Sequence, residues 1–357
     1  ILLINILKYI KDKEDFMLKE PNLWKNESNY YLNVLESDWY KLLVKLENLI
    51  TKETVYFYNS KNILTMHLPV TTGSISSPMG KGSDSKPVKV NICGVDTYLA
   101  DSMQFFLEYG CRLTENGVYY IMPTFRGEEA DERHLCQFYH SEAEIPGNLN
   151  DVMDLVEEYI KHLSRKIIEE FGEVLQHELG DITHIKKVAN YKGKFPRITF
   201  DDAEKKLKEK FPDKIDRFII YDDGFRNITS DGEKALMQIY DGLIWVTNYD
   251  KMAVPFYQKV DEKNKRSAKN ADLLMGIGET VGCGERNKTD LELYKSLNEH
   301  NVNSKEYEWY IEMKKKFPLQ TSGFGMGIER YLMWVLKCKD IRNMQICLRF
   351  NGRNIVP

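Results

Sequence analysis

An arginine and an aromatic residue lie 12 positions apart in a segment whose pattern predicts a β-hairpin. Arg126 belongs to the run Pro-Thr-Phe-Arg-Gly-Glu at 123–128, and Phe138 follows it. On neighbouring strands, the guanidinium could bind a phosphate while the ring stacks on a nucleotide base. A solvated hairpin rim would show the same residues, so this segment by itself does not identify a site.

Two further segments place polar side chains at the start of a predicted helix. Residues 323–330 read Gly-Phe-Gly-Met-Gly-Ile-Glu-Arg and end on Arg330. The glycines would let the backbone approach a ligand closely, and an arginine on a first helical turn is a fixed partner for a phosphate or a ring. Residues 98–104 form a polar cluster that includes Ser102 and Gln104. Neither segment is specific alone, because glycines also serve packing.

Carboxylates and an arginine occur together in the glycine-rich segment 272–286. Asp272 begins it, Glu279 lies in its middle and Arg286 ends it. Carboxylate oxygens are preferred ligands of Mg²⁺, and a guanidinium suits a carboxylate or amide group. The segment therefore predicts a Mg²⁺ site beside a small polar ligand.

The elements that position these residues follow from hydrophobic periodicity. Helices are predicted at 37–50, 150–171 and 328–336, and strands at 55–58, 63–68, 88–92, 118–122, 134–143, 218–221 and 243–247. The strands follow one another without regular intervening helices. This order favours an antiparallel α+β sheet over a doubly wound fold.

The clearest loop is the stretch 71–87, which is rich in Gly, Ser and Pro. A loop of about 17 residues inside a compact domain is more often a lid than an inert linker. The chain is predicted to consist of an N-terminal helical extension, 1–36, and a catalytic domain, 37–357. Its opening apolar run, 1–7, lacks a basic flank and a cleavage site, and it predicts an amphipathic helix instead of a signal peptide.

The overall composition narrows the class of protein. The formal charge of −4, with 50 basic and 54 acidic residues, gives no excess of positive charge for binding nucleic acid. The six cysteines form no CxxC pair, which argues against a disulfide framework or a zinc site. No apolar run approaches the roughly 20 residues that a membrane span requires. We expect a cytoplasmic protein.

Together these segments resemble the class II aminoacyl-tRNA synthetases of the aspartate and asparagine group. Pro69 lies where their first motif ends, 125–128 is similar to their second motif, and 323–330 to their third. The stretch 243–249 is similar to the Val-Thr-Asn-Tyr run of the family. The resemblance, which covers residues 37–352, implies an antiparallel six- to seven-stranded sheet flanked by helices, and a homodimer built around the first motif.

The resemblance also implies roles in binding ATP. Arg126 would bind the α-phosphate, and Glu128 would bind the amino group of adenine. Phe138 would stack on the adenine ring. Arg330 would cover the opposite face of the ring and reach the γ-phosphate, which His134 would also contact.

Further implied roles concern the metal ion and the amino acid. Asp272 and Glu279 would hold Mg²⁺. The α-amino end of the amino acid would be surrounded by Ser102, Gln104 and Glu142. Arg286 would meet the side-chain carbonyl or carboxylate. In-line attack on the α-phosphorus needs positioning and charge neutralisation, and it needs no nucleophilic side chain.

Several positions bear on which amino acid is bound. The lysine that meets the substrate carboxylate in the aspartate enzymes is replaced by Leu107, followed by Glu108, as in the asparagine enzymes. The segment 278–282 also resembles the asparagine branch. Glu285 and Gln137 depart from the family pattern beside binding residues, which leaves the identity of the substrate open.

Two features bear on the acceptor. The residues before the 37–50 helix are too few for an anticodon-reading OB-fold, so no anticodon domain is expected. The pair Gln320-Thr321 resembles ammonia-dependent asparagine synthetase, a related fold.

Three functions follow from these features. The leading one is an ATP- and Mg²⁺-dependent ligase that adenylates an aspartate- or asparagine-like amino acid and transfers it to ammonia or a small amine. The second is an asparagine- or aspartate-tRNA ligase reduced to its catalytic core, although tRNA is the less expected partner. The third is a non-catalytic sensor of amino acid or ATP, which the phosphate-binding arginines argue against.

Overall fold

The strands of this computed structural model form one eight-stranded sheet and two small ones, within the residues that the structure describes: 18–76, 81, 85–222 and 224–356. The strands are β1 Leu64–Thr65, β2 Thr71–Thr72, β3 Val88–Ile92, β4 Val95–Leu99, β5 Val118–Phe125, β6 Gln137–Pro146, β7 Arg197–Thr199, β8 Ile219–Asp222, β9 Phe225–Ile228, β10 Leu243–Thr247, β11 Asn270–Met275, β12 Gly278–Glu285 and β13 Thr321–Gly327.

Helices flank this sheet. They are α1 Tyr30–Glu36, α2 Asp38–Ser60, α3 Gln104–Gly110, α4 Leu149–Leu179, α5 Thr183–Ala189, α6 Phe200–Lys210, α7 Ile215–Phe218, α8 Ser230–Ile239, α9 Asp290–Glu299, α10 Glu308–Lys316 and α11 Ile328–Leu336. Short 3-10 turns lie at Leu23–Lys25, Pro212–Lys214, Ser304–Tyr307 and Ile341–Met344. No helix in the described part of the chain is both long and apolar enough to cross a bilayer.

The large sheet has the order β1-β5-β6-β13-β12-β11-β10-β7. Its six central strands are antiparallel neighbours. One short strand is added in parallel at each edge, β1 against β5 and β7 against β10. The predicted α+β class is confirmed. The sheet has eight strands instead of the six to seven that the resemblance implied, because a short strand is added at each edge. The edge strand β1 lies within the strand predicted at 63–68, whereas β7, of three residues, gave no sequence pattern.

The two central glycine-rich strands have one apolar face and one glycine face. On β13, Phe324 and Met326 are buried in the main core, and Phe324 packs against Tyr159 of α4 with ring centroids 6.1 Å apart. Gly323 and Gly325 point the other way, since side chains alternate along a strand. In the register of β13 with β6, Gly323 pairs with Glu144 and Gly325 with Glu142. The glycine face is thus the floor of a polar site.

One predicted strand was wrong. Residues 55–58 continue α2, which extends to Ser60. Phe57 and Tyr58 are buried on the same helix as Ile50, and the hydroxyl of Thr54 donates to the carbonyl of Ile50 at 2.6 Å. The β-branched and aromatic composition favours a strand locally, and packing of the helix against α4 overrides that preference.

The N-terminal segment is described from residue 18 onward, and the amphipathic helix predicted at 1–7 lies outside the described residues. Tyr30 of α1 donates its hydroxyl to the carbonyl of Gln345 at 2.5 Å, and the N–H of Asn22 donates to the side chain of Asn343 at 3.0 Å. This segment therefore packs on the C-terminal part of the chain. The division into 1–36 and 37–357 stays a prediction.

Candidate active site

One pocket is lined by all the residues predicted to bind ATP. It encloses about 550 Å³ of space, part of it open to solvent, beside the loop from β5 to β6, the strand β12 and the start of α11. Its lining includes the six residues predicted for ATP: Arg126, Glu128, His134, Phe138, Glu279 and Arg330. The fold thus brings this set together from three distant segments.

Arg126 and Phe138 lie side by side at the end of the β5–β6 hairpin. The guanidinium carbon is 5.3 Å from the ring centroid. Within the described residues, the buried Nε of Arg126 has no hydrogen-bond partner. A buried donor without a partner costs free energy unless a ligand supplies one. This arginine therefore fits a phosphate, and the ring beside it fits a base.

Glu128 is tied to the end of the predicted lid. Its Oε2 accepts from the N–H of Lys86 at 3.1 Å, and the N–H of Gly127 donates to the carbonyl of Lys86 at 2.7 Å. Part of the predicted lid lies outside the described residues. Near its start, Ser76 donates its N–H and hydroxyl to Asp101 at 3.1 and 3.0 Å. The described parts of this predicted lid thus contact Asp101 near its start and Glu128 at its end.

Arg330, on the first turn of α11, is fixed between two segments. Its Nη1 donates to the carbonyl of Glu279 at 2.6 Å, and its Nη2 lies 3.4 Å from the carbonyl of Arg133. The Glu279 carboxylate is 3.8 Å from Nη1. These contacts hold the guanidinium at the pocket wall.

Asp272 and Glu279 form a carboxylate pair over a glycine. A β-carbon at Gly282 would lie 2.8 Å from Oε1 of Glu279 and 3.5 Å from Oδ1 of Asp272. The pKa of Asp272 is raised well above its usual range, first because the group is withdrawn from water and then because Glu279 and Glu233 are near. A divalent cation would relieve this repulsion, so the donor set fits Mg²⁺.

No group of three or more His, Cys, Asp or Glu side chains is placed to hold a metal in the described ranges. Mg²⁺ is commonly held by one or two carboxylates together with substrate phosphates. The pair Asp272 and Glu279 therefore fits a Mg²⁺ ion that binds together with the nucleotide phosphates.

His134 is oriented by Asp131 within the β5–β6 loop. Its ring Nδ1 lies 2.9 Å from Oδ1 of Asp131. The same oxygen accepts from the N–H groups of Arg133 and His134 at 2.7 and 2.8 Å. A loop closed by such local hydrogen bonds keeps the imidazole at the edge of the pocket.

Glu142 is the centre of the predicted amino-acid end. Its Oε2 accepts from the hydroxyls of Ser102, at 2.7 Å, and Tyr120, and its Oε1 lies 2.8 Å from Nδ1 of His140. Burial raises the pKa of Glu142, but His140 and these hydrogen bonds hold it below its usual value. The carboxylate is thus kept ionised, which suits contact with an ammonium group.

Gln104 adds a free donor to this end of the site. Its N–H donates to the hydroxyl of Ser102 at 3.1 Å. Its side-chain Nε2 is buried and has no hydrogen-bond partner in the described chain. As with Arg126, a ligand oxygen would satisfy it.

Arg286 is paired with Glu144, one alternation along β6 from Glu142. Its Nε lies 3.2 Å from both carboxylate oxygens, and its Nη2 lies 3.0 Å from Oε2. Its Nη1 donates to Oε1 of Gln258 at 3.2 Å, and the ring centroid of Tyr257 is 5.4 Å away. Both charged side chains are almost completely buried. Arg286, which was predicted to contact the side chain of the substrate, is thus already paired with the carboxylate of Glu144.

Sequence reasoning missed several residues of the site. Glu144, Gln258 and Glu233 of α8, whose carboxylate contacts Arg133, were not singled out. Arg133 lies in the first of the predicted segments, but it was given no role of its own. Glu144 could have been found, because it follows Glu142 with the two-residue spacing of a strand face. Gln258 and Glu233 have no local signal, since each reaches the site through long-range packing.

Comparison with known proteins identifies relatives over nearly the whole chain. The model of the family described as tRNA synthetases class II (D, K and N) matches residues 25–347. An asparagine–tRNA ligase of Thermoplasma acidophilum is 29% identical over 343 residues, which cover 95% of this chain and 74% of that protein.

Solved structures with the same fold include synthetases for two amino acids. Asparaginyl-tRNA synthetase from Pyrococcus horikoshii, complexed with asparaginyl-adenylate, has a TM-score of 0.82 and 24% identity, covering 92% of this chain and 73% of that one. Aspartyl-tRNA synthetase from Entamoeba histolytica has a TM-score of 0.73 and 19% identity, covering 92% and 62%. At these identities the likeness establishes the fold.

Proposed function

This chain belongs to the class II tRNA synthetases (D, K and N), and on this premise we propose that it activates asparagine and transfers it to a tRNA. The family consists of ATP-dependent ligases that form aminoacyl-adenylates and use ATP and Mg²⁺. Asparagine as the amino acid and tRNA as the acceptor are the two assignments that go beyond membership of the family.

The pairing of Arg286 with Glu144 carries the choice of amino acid. A site that recognises a carboxylate needs a cation with charge to spare, and here the guanidinium is matched by a buried carboxylate at 3.0 Å. An amide side chain presents one acceptor and two donors. Its carbonyl could accept from Arg286, and its NH₂ could donate to Glu144. An aspartate carboxylate would meet the like charge of Glu144 in a buried pocket, at a cost of several kcal/mol.

A second ion pair supports a neutral substrate. The position of the missing lysine is followed by Glu108, whose carboxylate pairs with Lys314 at 2.6 Å, both side chains being fully buried. The cation that α10 brings to this region is therefore matched as well. Neither pair leaves positive charge over for a substrate carboxylate.

The nucleotide end supports adenylate formation without a nucleophilic side chain. Arg126 would bind the α-phosphate, where charge develops during attack by the amino-acid carboxylate, while Phe138 and Glu128 would hold the adenine. Arg330 and His134 would fix the γ-phosphate and so align the leaving pyrophosphate. Asp272 and Glu279 would hold Mg²⁺, which supplies further charge neutralisation when bound.

The predicted transfer to ammonia gains no support. It rested in part on Gln320-Thr321, and the side chain of Gln320 is bound within the protein: its Nε2 donates to the carbonyl of Arg286 at 3.1 Å, and its Oε1 accepts from the side chain of Lys259 at 3.1 Å. The similarity to an asparagine–tRNA ligase favours the alternative function, with tRNA as the acceptor.

Pyrophosphate exchange with asparagine and with aspartate tests the amino acid. We expect exchange with asparagine to exceed that with aspartate by at least about a hundredfold, from like-charge repulsion of several kcal/mol. Glu144→Gln should narrow this ratio, because it leaves the charge of Arg286 unmatched. Equal exchange with both amino acids would contradict the assignment.

Incubation with labelled asparagine, ATP and either total tRNA or ammonium tests the acceptor. The expected product is acid-precipitable aminoacyl-tRNA. An ammonium-dependent product from aspartate, without charged tRNA, would restore the ammonia ligase.

A further inference from the structure

The guanidinium of Arg133 is held by a carboxylate from outside the segments that carry the predicted site. Its Nη2 donates to Oε2 of Glu233 at 2.7 Å, and both side chains are largely buried, with 15% and 13% of their surface exposed. Glu233 lies on the first turn of α8, 100 residues away along the chain. The β5–β6 loop is thus clamped to α8 at the pocket.

The backbone of β12 leaves room for this ion pair at Gly278. A β-carbon there would lie 2.2 Å from Oε2 of Glu233 and 2.7 Å from Nη2 of Arg133. Gly278 also has a φ of +141°, a conformation that is essentially restricted to glycine. The strand that carries Glu279 therefore passes directly beside the pair.

The remaining donors of Arg133 have no protein partner. Its Nε and Nη1 are buried without a hydrogen bond, within the part of the chain that the structure describes. Arg133 lines the nucleotide pocket with His134 and Arg330, and its carbonyl accepts from Arg330. Two unsatisfied cationic donors at the phosphate-binding end of the pocket fit the oxygens of a polyphosphate.

We propose that Glu233 is a positioning residue, which holds Arg133 so that its free Nε and Nη1 engage the polyphosphate of ATP beyond the α-phosphate. Arginine otherwise samples many rotamers, and ordering it costs free energy. Glu233 provides that ordering before the nucleotide arrives. The inference rests on ATP being the substrate, as proposed above, and assigns a function to a helix in which the sequence showed no motif.

Nucleotide binding to the purified full chain separates this role from a purely structural one. Glu233→Ala should weaken ATP binding, measured by titration calorimetry, by at least about tenfold, because charge-assisted contacts contribute about 1.5–3 kcal/mol. AMP, which lacks the outer phosphates, should bind with unchanged affinity. The KM for ATP should rise with little change in the KM for asparagine. Glu233→Gln, which can still accept from Nη2, should restore most of the affinity.

Matched variants complete the experiment. Asp231 lies on the same helical turn as Glu233 and forms an exposed ion pair with Arg217. The variant Asp231→Ala loses only that ion pair and should bind ATP like the wild type. Arg133→Ala should lose the same affinity as Glu233→Ala, and the double variant should lose no more. Equal losses for ATP and AMP, or an unchanged ATP affinity in Glu233→Ala, would overturn the inference. A wild-type chain that binds no ATP would instead refute the proposed function.

Discussion

Lys314 and Glu108 form an ion pair of 2.6 Å in which neither side chain has exposed surface. Lys314 also donates to the carbonyl of Asn287 at 2.6 Å, and the hydroxyl of Tyr310 donates to Glu108 at 2.5 Å. Asn287, which directly follows Arg286, is thus tied to α10 and, through Glu108, to α3. The pair supports the wall of the amino-acid pocket.

Removing one member of this pair should destabilise the fold strongly. Lys314→Met would leave the Glu108 charge buried and unmatched, so we expect the free energy of unfolding to fall by about 3–5 kcal/mol. The double variant Glu108→Gln/Lys314→Met should recover much of that loss. Urea denaturation gives these values. Lys315→Met, at an exposed position of the same helix, should change the free energy of unfolding by less than about 0.5 kcal/mol. Similar losses in Lys314→Met and Lys315→Met would contradict the argument.

Arg126→Ala should reduce adenylate formation by at least about a hundredfold, because the contact with the α-phosphate strengthens as charge develops in the transition state. Pyrophosphate exchange at saturating asparagine measures it. Arg217→Ala, at a largely exposed arginine, is the control and should retain wild-type exchange. Near wild-type exchange in Arg126→Ala would refute the assignment of the second motif.

Stability should fall with rising pH through the titration of Glu329. Burial raises its pKa to about 8, although its carboxylate accepts from the N–H of Tyr139. The folded state therefore holds a proton that the unfolded state releases near pH 4.5, and stability is lost as pH rises towards 8.

Glu329→Gln removes this titration and should flatten the dependence. In thermal unfolding between pH 5 and 9, the melting temperature of the variant should rise relative to that of the wild type at the alkaline end. Glu312→Gln, an exposed substitution, should run parallel to the wild type. A constant difference between Glu329→Gln and the wild type across this range would argue against the raised pKa.

The chain is predicted to be a homodimer joined through α2 and β1. The structure leaves Val55, Tyr56 and Leu64 exposed on these elements, and β1 is an edge strand. Analytical ultracentrifugation at micromolar concentration should show a species of twice the 41.8 kDa chain mass. Val55→Asp should shift it towards the monomer, and a single monomeric wild-type species would refute the prediction.

The predicted lid should become more protected when substrates bind. At its start, Ser74 donates to the carbonyl of Glu306 at 2.9 Å, and the carbonyl of Ile75 accepts from Tyr307 at 2.9 Å. Closing the site over an adenylate excludes water. Hydrogen exchange of residues 71–76 should therefore slow on adding ATP with asparagine and stay unchanged with ATP and alanine. Hydrogen exchange that stays unchanged when ATP and asparagine are added would indicate that residues 71–76 belong to a surface loop.

Local patterns in the sequence determined much of this protein. The apolar period at 328–336 predicted the helix that begins there, and that helix is confirmed. The strand β13 that precedes it was not predicted, although its glycines alternate with the buried Phe324 and Met326. The arginines and carboxylates of the nucleotide pocket lie at the ends of such elements. They could be found because each signal is contained within a few residues.

Only the tertiary structure decided which charges are matched. Arg286 pairs with Glu144 over a sequence separation of 142 residues, Lys314 with Glu108 over 206, and Arg133 with Glu233 over 100. Such pairs depend on sheet register and on loop closure, which no local pattern encodes. The sequence therefore predicted which segments bind ligands. Burial and long-range pairing decided which of those side chains have charge or hydrogen-bonding capacity left for a substrate.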